Sequence, residues 1–403
     1  VADSITEPES ASQQPRRIGF LFNHEHLHQI AHAAPIAFEL SCANPSVEVL
    51  LLASSQAQLD YLRQLEQVCS GNRCHYILLK LPRVLVFPRR LLDPFLPYTR
   101  VATLIANRAL FASLDVLVAP EKTSLLLRTR LGLKNLKFVH TRHGAGDREV
   151  GFDRGSGEFD LVLMSGPKVR DRLRAAGVLK EQGHAIVGYA KFDLLRDAPA
   201  PEKLFDNNRP TVVYNPHFSP RLSSWYRHGL DILEHFYLSQ KYNLIFAPHV
   251  MLFRKRFQIS LEHCRVSLPG RIPARYRDCP HMLIDTGSAR SVDMTYTRAA
   301  DLYLGDASSQ VYEFLLQPRP CVFIDAHDTH WQKDVNYTHW QAGPVITEVT
   351  TIDQTLETAF RMHPDWLSRQ QQLFAYSFDI GKQPSSVRGA DAIVRFLDLK
   401  KAA

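Results

Sequence analysis

Short apolar runs alternate with helix-spaced amphipathic stretches, which predicts an α/β protein of two Rossmann-like, doubly wound domains facing each other across a cleft. Three observations carry this expectation. The alternation begins at Arg16, it breaks at a proline-rich charged segment, Asp197–Pro210, and it restarts at Thr211. A chain of 403 residues is too long for one ordinary hydrophobic core, whereas two domains of about 150–200 residues each accommodate it.

In the first half, Ile18–Phe22 reads as a strand, and Leu27, Ile30, Ala31, Ala34 and Phe38 recur at helical spacing over His26–Leu40. Val47–Leu52 is expected as a strand, Gln56–Gln67 as a helix, and His75–Leu79, Val116–Val118 and Phe138–Thr141 as further strands. In the second half the expected strands are Thr211–Tyr214, Leu244–Ala247, Met282–Ile284, Leu302–Leu304 and Cys321–Ile324. Helices are expected at Arg227–Leu238, Phe253–Cys264 and Gln310–Leu316, with a closing one at Ala390–Lys400. The resulting division is a disordered leader (1–15), a first Rossmann-like domain (16–200), a second one (201–385) and a C-terminal helix (386–403) expected to pack back on the first domain.

Composition narrows the class. Hydrophobic residues at 45% and charged residues at 22% give the balance of a soluble globular protein. No apolar run reaches the roughly 18 residues of a membrane-spanning helix. Val1–Pro15 is polar and acidic, without the basic and apolar regions of a signal peptide. Cys42, Cys69, Cys74, Cys264, Cys279 and Cys321 are scattered without zinc-site spacing, as reduced thiols of a cytosolic protein are. The net charge of +7 comes without a nucleic-acid-binding motif, so lipid or phosphate-bearing partners are expected. Leu81–Leu110 mixes Arg89, Arg90 and Arg100 with Leu, Val and Phe. It reads either as an interfacial segment on an anionic membrane or as a buried helix with a basic outer face.

Three segments could carry chemistry. In Leu302–Phe314 a strand ends at Gly305-Asp306, Ala307 and the pair Ser308-Ser309 follow, and a helix carrying Glu313 begins near Gln310. Free N–H groups at a helix start bind phosphate, the serines add hydroxyls, and Glu313 could reach a ribose; a plain serine cap is the competing reading. His143, before Gly144 at a strand end, suits a general base, and His249, at another strand end, suits contact with a transferred or leaving phosphate. Arg142, Arg148 and His217 are candidate phosphate or acceptor contacts. His24 and His28, four apart, could share a helix face as metal ligands, though a solvated, non-ligand loop suits them better, with acceptor contact the next reading.

Four segments, in order, resemble the CDP-glycerol glycerophosphotransferase family of teichoic-acid and capsule synthesis, a group of GT-B-like transferases. They are Val139–Gly144 (its His-Gly element), Gly188-Tyr189-Ala190-Lys191-Phe192-Asp193 (its hinge), Leu244–His249 (the strand ending in a catalytic His) and Gly305–Glu313 with the following Pro320–Ile324. Departures exist: Pro248 precedes His249 where the family has His-Pro, Ala307 stands where an aromatic residue is common, and Asn215-Pro216-His217-Phe218 replaces Ala-Pro-Thr. The resemblance implies His143 and His249 as catalytic. It also implies Gly305, Asp306, Ser308, Ser309 and Glu313 as donor-binding, with no metal and no cofactor. The implied substrates are CDP-glycerol and a hydroxyl acceptor, lipid-linked or on a surface glycan. The implied place is the cytoplasm, at the inner face of the cell membrane. Sugar transfer from a nucleotide sugar and nucleotide-sugar 2-epimerisation use the same architecture and remain alternatives.

Overall fold

The computed structural model describes residues 15–24, 27–66, 71–87, 89–93, 96–254, 258–260 and 265–398. The leader, Glu25, His26, Cys69 and Cys264 therefore lie outside the described residues. The first sheet contains β1 (Arg16–Phe22), β2 (Val47–Ala53), β3 (His75–Leu78), β4 (Val116–Ala119), β5 (Lys137–His140), β6 (Leu161–Met164) and β7 (His184–Ile186). All pair in parallel, in the order β3-β2-β1-β4-β5-β6-β7. Such a sheet is covered on both faces, so its strands are apolar throughout rather than alternating. Period-two geometry still sorts them. Ile18, Phe20 and Phe22 enter one core with Val49 and Leu51, while Leu21 enters the opposite one with Leu50, Leu52 and Leu117.

The second sheet follows β8 (Thr211–Asn215), β9 (Asn243–Phe246), the small antiparallel pair β10 (Gln258–Ser260) and β11 (Arg265–Ser267), then β12 (Met282–Ile284), β13 (Leu302–Gly305), β14 (Cys321–Ile324) and β15 (Val345–Ile346). Its parallel order is β12-β9-β8-β13-β14-β15. The two halves are thus Rossmann-like sheets that reverse direction between β1 and β4 and between β8 and β13. At such reversals a crevice opens outside the carboxyl ends of the strands.

Two expected helices change. Phe253–Cys264 is no helix among its described residues, since Gln258–Ser260 runs as a strand paired with Arg265–Ser267. Its β-branched and aromatic content tolerates either form. The stretch expected as one helix from His26 opens as a 3₁₀ turn, Leu27–His32, and only Ala34–Ala43 is α-helical, with Pro35 in its first turn.

The halves are tied at several points. The C-terminal helix Ser385–Asp398 lays Ala390, Ile393 and Leu397 into the core of the first sheet beside Ile36. A Cβ on Gly389 would meet Ile36 at 2.9 Å, so glycine is what permits this approach. Asp193 anchors the start of that helix by accepting the N–H groups of Ser385 (3.2 Å) and Ser386 (2.6 Å). Asp147 joins the halves from within: it pairs with Lys168 at 2.7 Å and accepts from the Tyr312 hydroxyl at 2.8 Å and the His339 N–H at 3.0 Å.

Candidate active site

Loops leaving the carboxyl ends of β1, β5, β8, β9 and β13 converge on one cavity of 360 Å³ between the halves. From the first half come His24, His28, Gln29, His32, Arg142, His143 and Arg148; from the second come His217, His249, Ser308, Ser309 and Glu313. The sequence candidates His24, Arg142, His143, His217, His249, Ser308, Ser309 and Glu313 are thus brought together. Gly144 and Gly146 make the contact between the walls: a Cβ on either would stand 3.2 Å from Ser309. Gly144 also has φ +70, a conformation that favours glycine.

Two candidates stand apart. Asp306 is fully buried and does not line the cavity. Its carboxylate accepts the backbone N–H groups of His217 (2.8 Å) and Ser224 (2.7 Å) and the Ser224 hydroxyl (2.9 Å). Its carbonyl accepts from His339 Nε2 and from Trp340 Nε1 at 3.0 Å. Burial nevertheless pushes its carboxyl up to about 6, against the hydrogen bonds that lower it. Asp306 therefore braces the loop that bears His217. Gly305 also lies outside the lining, where a Cβ would meet the Tyr303 ring at 2.6 Å.

Two further expectations need correction. The helix behind the serines, Gln310–Phe314, has five residues, and Ser309 makes no side-chain cap bond. Its dipole is accordingly a minor source of positive potential, and the hydroxyls themselves are the main donors there. Glu313 is not free to reach a ribose, because Lys191 Nζ lies 2.7 and 2.8 Å from its two oxygens and the Tyr189 hydroxyl donates to it at 2.9 Å.

Backbone groups determine which histidine nitrogens carry hydrogen. His143 Nδ1 lies 2.8 Å from the carbonyl oxygen of Pro120, which can only accept. Nδ1 therefore holds the hydrogen and, in the neutral ring, Nε2 presents a lone pair. Burial lowers the pKa of His143, so the neutral ring dominates near pH 7. The opposite wall has the reverse arrangement. The Ser219 N–H donates to His217 Nδ1 at 3.0 Å, and the Met251 N–H donates to His249 Nδ1 at 3.3 Å. In the neutral His249 ring, Nε2 must therefore carry the hydrogen. Arg148 Nη1 lies 3.2 Å from His217 Nε2. Arginine can only donate, so both ring nitrogens of His217 face donors, Ser219 N–H at Nδ1 and Arg148 at Nε2. Burial also lowers the pKa of His28, His32 and His217.

Arg142 sits in the left-handed region at φ +57 and donates to the Gly151 carbonyl at 2.6 Å, while its Nε has no partner. Burial lowers its pKa to about 10. The sequence reading missed Gln29, His32, Lys191, Asp147 and His339. Lys191 fell inside a quoted motif but without a role, and the others belong to no local pattern.

No family model and no curated protein matches the chain. Solved structures do. Wall teichoic acid polymerase TagF superimposes with a TM-score of 0.61 at 13% identity, covering 97% of this chain and 91% of that one. The fold is GT-B-like. A UDP-N-acetylglucosamine 2-epimerase matches with a TM-score of 0.58 at 11% identity, over 97% of both chains. The UDP-GlcNAc 2-epimerase from Neisseria meningitidis, bound to UDP-GlcNAc, matches with a TM-score of 0.56 at 11% identity, covering 95% of this chain and 99% of that one. At these identities the likeness concerns architecture, and both neighbours share it.

Proposed function

We propose that the chain is a transferase that moves a glycerophosphate, or a closely related group, from a CDP-activated donor to a hydroxyl acceptor in cell-envelope polymer synthesis. The opposed hydrogen-bonding sense of the histidines on the two walls is the observation that carries this reading. The acceptor hydroxyl gives its proton to His143 Nε2 as its oxygen attacks the β-phosphorus of the donor. The bond from that phosphorus to the bridging oxygen breaks, and CMP leaves. Nε2–H of His249, with Arg148, Ser308 and Ser309, receives the phosphate charge. Arg142 serves the same charge from the first wall.

Sugar transfer would use the same walls but release the nucleoside diphosphate. Epimerisation is less well supported, because among the described lining residues Glu313 is the one carboxylate, and Lys191 holds it. Incubation with CDP-glycerol and a polyol-phosphate acceptor distinguishes the readings: CMP release is expected. Stronger binding of UDP-sugars than of CDP-glycerol in a thermal-shift panel would replace this reading with sugar transfer or epimerisation.

We place the segment 81–110 against the inner face of an anionic membrane, where a lipid-linked acceptor would be found. No described helix is long and apolar enough to cross a membrane. The segment folds as the short helices Arg83–Val86 and Arg89–Leu92 and the longer Tyr98–Ala106. Val84 is 78% and Phe87 90% exposed, with Leu96 and Ile105 also more than half exposed. The one acidic residue of the segment, Asp93, is engaged by the N–H (2.8 Å) and hydroxyl (2.6 Å) of Thr99. Apolar tips among arginines suit an anionic surface.

A further inference from the structure

His339, in the turn Val335–Ala342, is buried where the two halves meet, and the chemistry above does not use it. Its Nδ1 lies 2.9 Å from Oδ2 of Asp147, in the loop that leaves β5. Its Nε2 lies 2.9 Å from the carbonyl oxygen of Asp306, just past β13. A carbonyl oxygen can only accept. So does the Asp147 carboxylate: burial alone would raise this carboxyl, yet Lys168 and the hydrogen bond from His339 hold it below the ordinary range. Either neutral form of the ring would turn a lone pair towards one of these oxygens, whereas the imidazolium donates to both. The charges also balance. Lys168 pairs with Asp147 at 2.7 Å and stands 3.5 Å from the centre of the Tyr312 ring. The Asp306 carboxyl, pushed up to about 6, is ionised at pH 7.5. Two cations thus face two carboxylates in the buried set, which a buried charge requires. The remaining neighbours of the ring are Tyr312, whose hydroxyl is given to Asp147 at 2.8 Å, and the rings of Phe323, Tyr337 and Trp340.

We propose that His339 is a positioning residue of the cleft, a buried imidazolium that ties the loop carrying Arg148 on the first wall to the turn carrying Ser308 and Ser309 on the second. The inference rests on the transferase reading above for its ligand, a nucleoside diphosphate, and on the hydrogen bonds alone for the tie. Arg148 is next in sequence to Asp147, and Ser308 and Ser309 follow Asp306 across Ala307; all three line the 360 Å³ cavity. Both ends of the tie are braced again. Lys168 also donates to the Ala145 carbonyl at 2.6 Å, and the Asp306 carboxylate accepts the His217 N–H at 2.8 Å. His339 itself is 3% exposed and is not among the described residues of the lining, so it acts through these neighbours and does not touch the ligand. Displacing it moves the phosphate contacts of the two walls relative to each other. A glutamine in its place has one donating and one accepting end, and so keeps only one of the two bonds.

The experiment joins two measurements on the full chain at pH 7.5. In long-range ¹H–¹⁵N correlation spectra of wild type, with the His339 ring assigned through its own Cβ and backbone resonances, both ring nitrogens are expected to carry hydrogen. A ring with one bare nitrogen overturns the proposal, even if every variant fails to fold. Saturation-transfer NMR then compares CDP with cytidine on wild type and on His339→Gln. The variant is expected to bind CDP about tenfold more weakly, as the loss of one hydrogen bond from a charged donor implies, and to bind cytidine as wild type does, because cytidine lacks the phosphates that the tied loops align. Equal weakening of both ligands would make the role merely structural and overturn the positioning claim; unchanged CDP binding overturns it as well. Wild type that binds neither ligand would remove the transferase reading by itself, while the ring spectrum still decides the tie.

Discussion

The two walls of the cleft carry the same side chain in opposite roles. On the first wall a backbone carbonyl, that of Pro120, holds His143 Nδ1, and the free edge of the ring accepts. On the second wall backbone N–H groups, those of Ser219 and Met251, donate to the Nδ1 atoms of His217 and His249, so the neutral His249 ring carries its hydrogen on Nε2, and Arg148 contacts Nε2 of His217. The imidazoles are chemically identical; the direction of one backbone bond behind each sets what it offers to a ligand. On the proposed function, a base and a phosphate donor therefore require no difference in residue type, only a difference in the loop that backs the ring.

The sharpest way to break this contrast is to remove the accepting ring. His143→Ala is expected to lower turnover with CDP-glycerol by about 10²–10⁴, while calorimetry shows CDP affinity within a few-fold of wild type. Equal losses in turnover and CDP affinity would mean that His143 binds donor rather than acting as a base. Next in size is the clamp that fixes the walls relative to each other. Asp147 and Lys168 are almost fully buried, so Asp147→Ala, which strands the lysine and His339, is expected to destabilise by about 3–5 kcal/mol; urea denaturation checks this.

On the donating wall, His217→Ala or His249→Ala is expected to weaken CDP binding by about ten- to a hundredfold, the range of a charge-assisted hydrogen bond. His143→Ala should not do so. The pH profile separates the walls further. The pKa of His143 is lowered, so its neutral form prevails above 6.5 and is lost only as pH falls through its lower folded value. Acceptor kcat/KM is expected to be insensitive to this group above pH 6.5 and to decline on the acid side. His217, also lowered, should take up a proton when a diphosphate arrives; titration of CDP near pH 6 in two buffers of different ionisation enthalpy should report net proton uptake. The smallest effect is on membrane contact. Phe87→Ser or Arg89→Gln should each reduce co-sedimentation with phosphatidylserine vesicles by about fivefold, the equivalent of roughly 1 kcal/mol, and leave neutral vesicles unaffected.

The fold was legible because parallel strands buried on both faces are short unbroken apolar runs, as Val116–Ala119 is. β6 and β7, Leu161–Met164 and His184–Ile186, were not read as strands, although β6 is as long and as apolar as Val116–Ala119. Site residues at strand ends next to Gly, Pro or Ser, such as His143, His249 and Ser308, announced themselves by position. Asp306 sat in the same motif, yet the job it has depends on Ser224, which is 82 positions away in sequence and hydrogen-bonded to it. Gln29, His339 and the Asp147 clamp are likewise products of tertiary contact, with no local pattern to mark them. Histidine tautomers were beyond the sequence altogether, since a backbone atom two residues away or 23 positions away decides them.

That tautomer contrast is also the most direct target for measurement. Long-range ¹H–¹⁵N correlation spectra of histidine-labelled protein at pH 7.5, assigned with single His→Gln variants, report which ring nitrogen is protonated. The account predicts an Nδ1–H ring for His143 and an Nε2–H ring for His249. An Nε2–H ring at His143 would contradict it, because the acceptor would then find a donor where it needs a base.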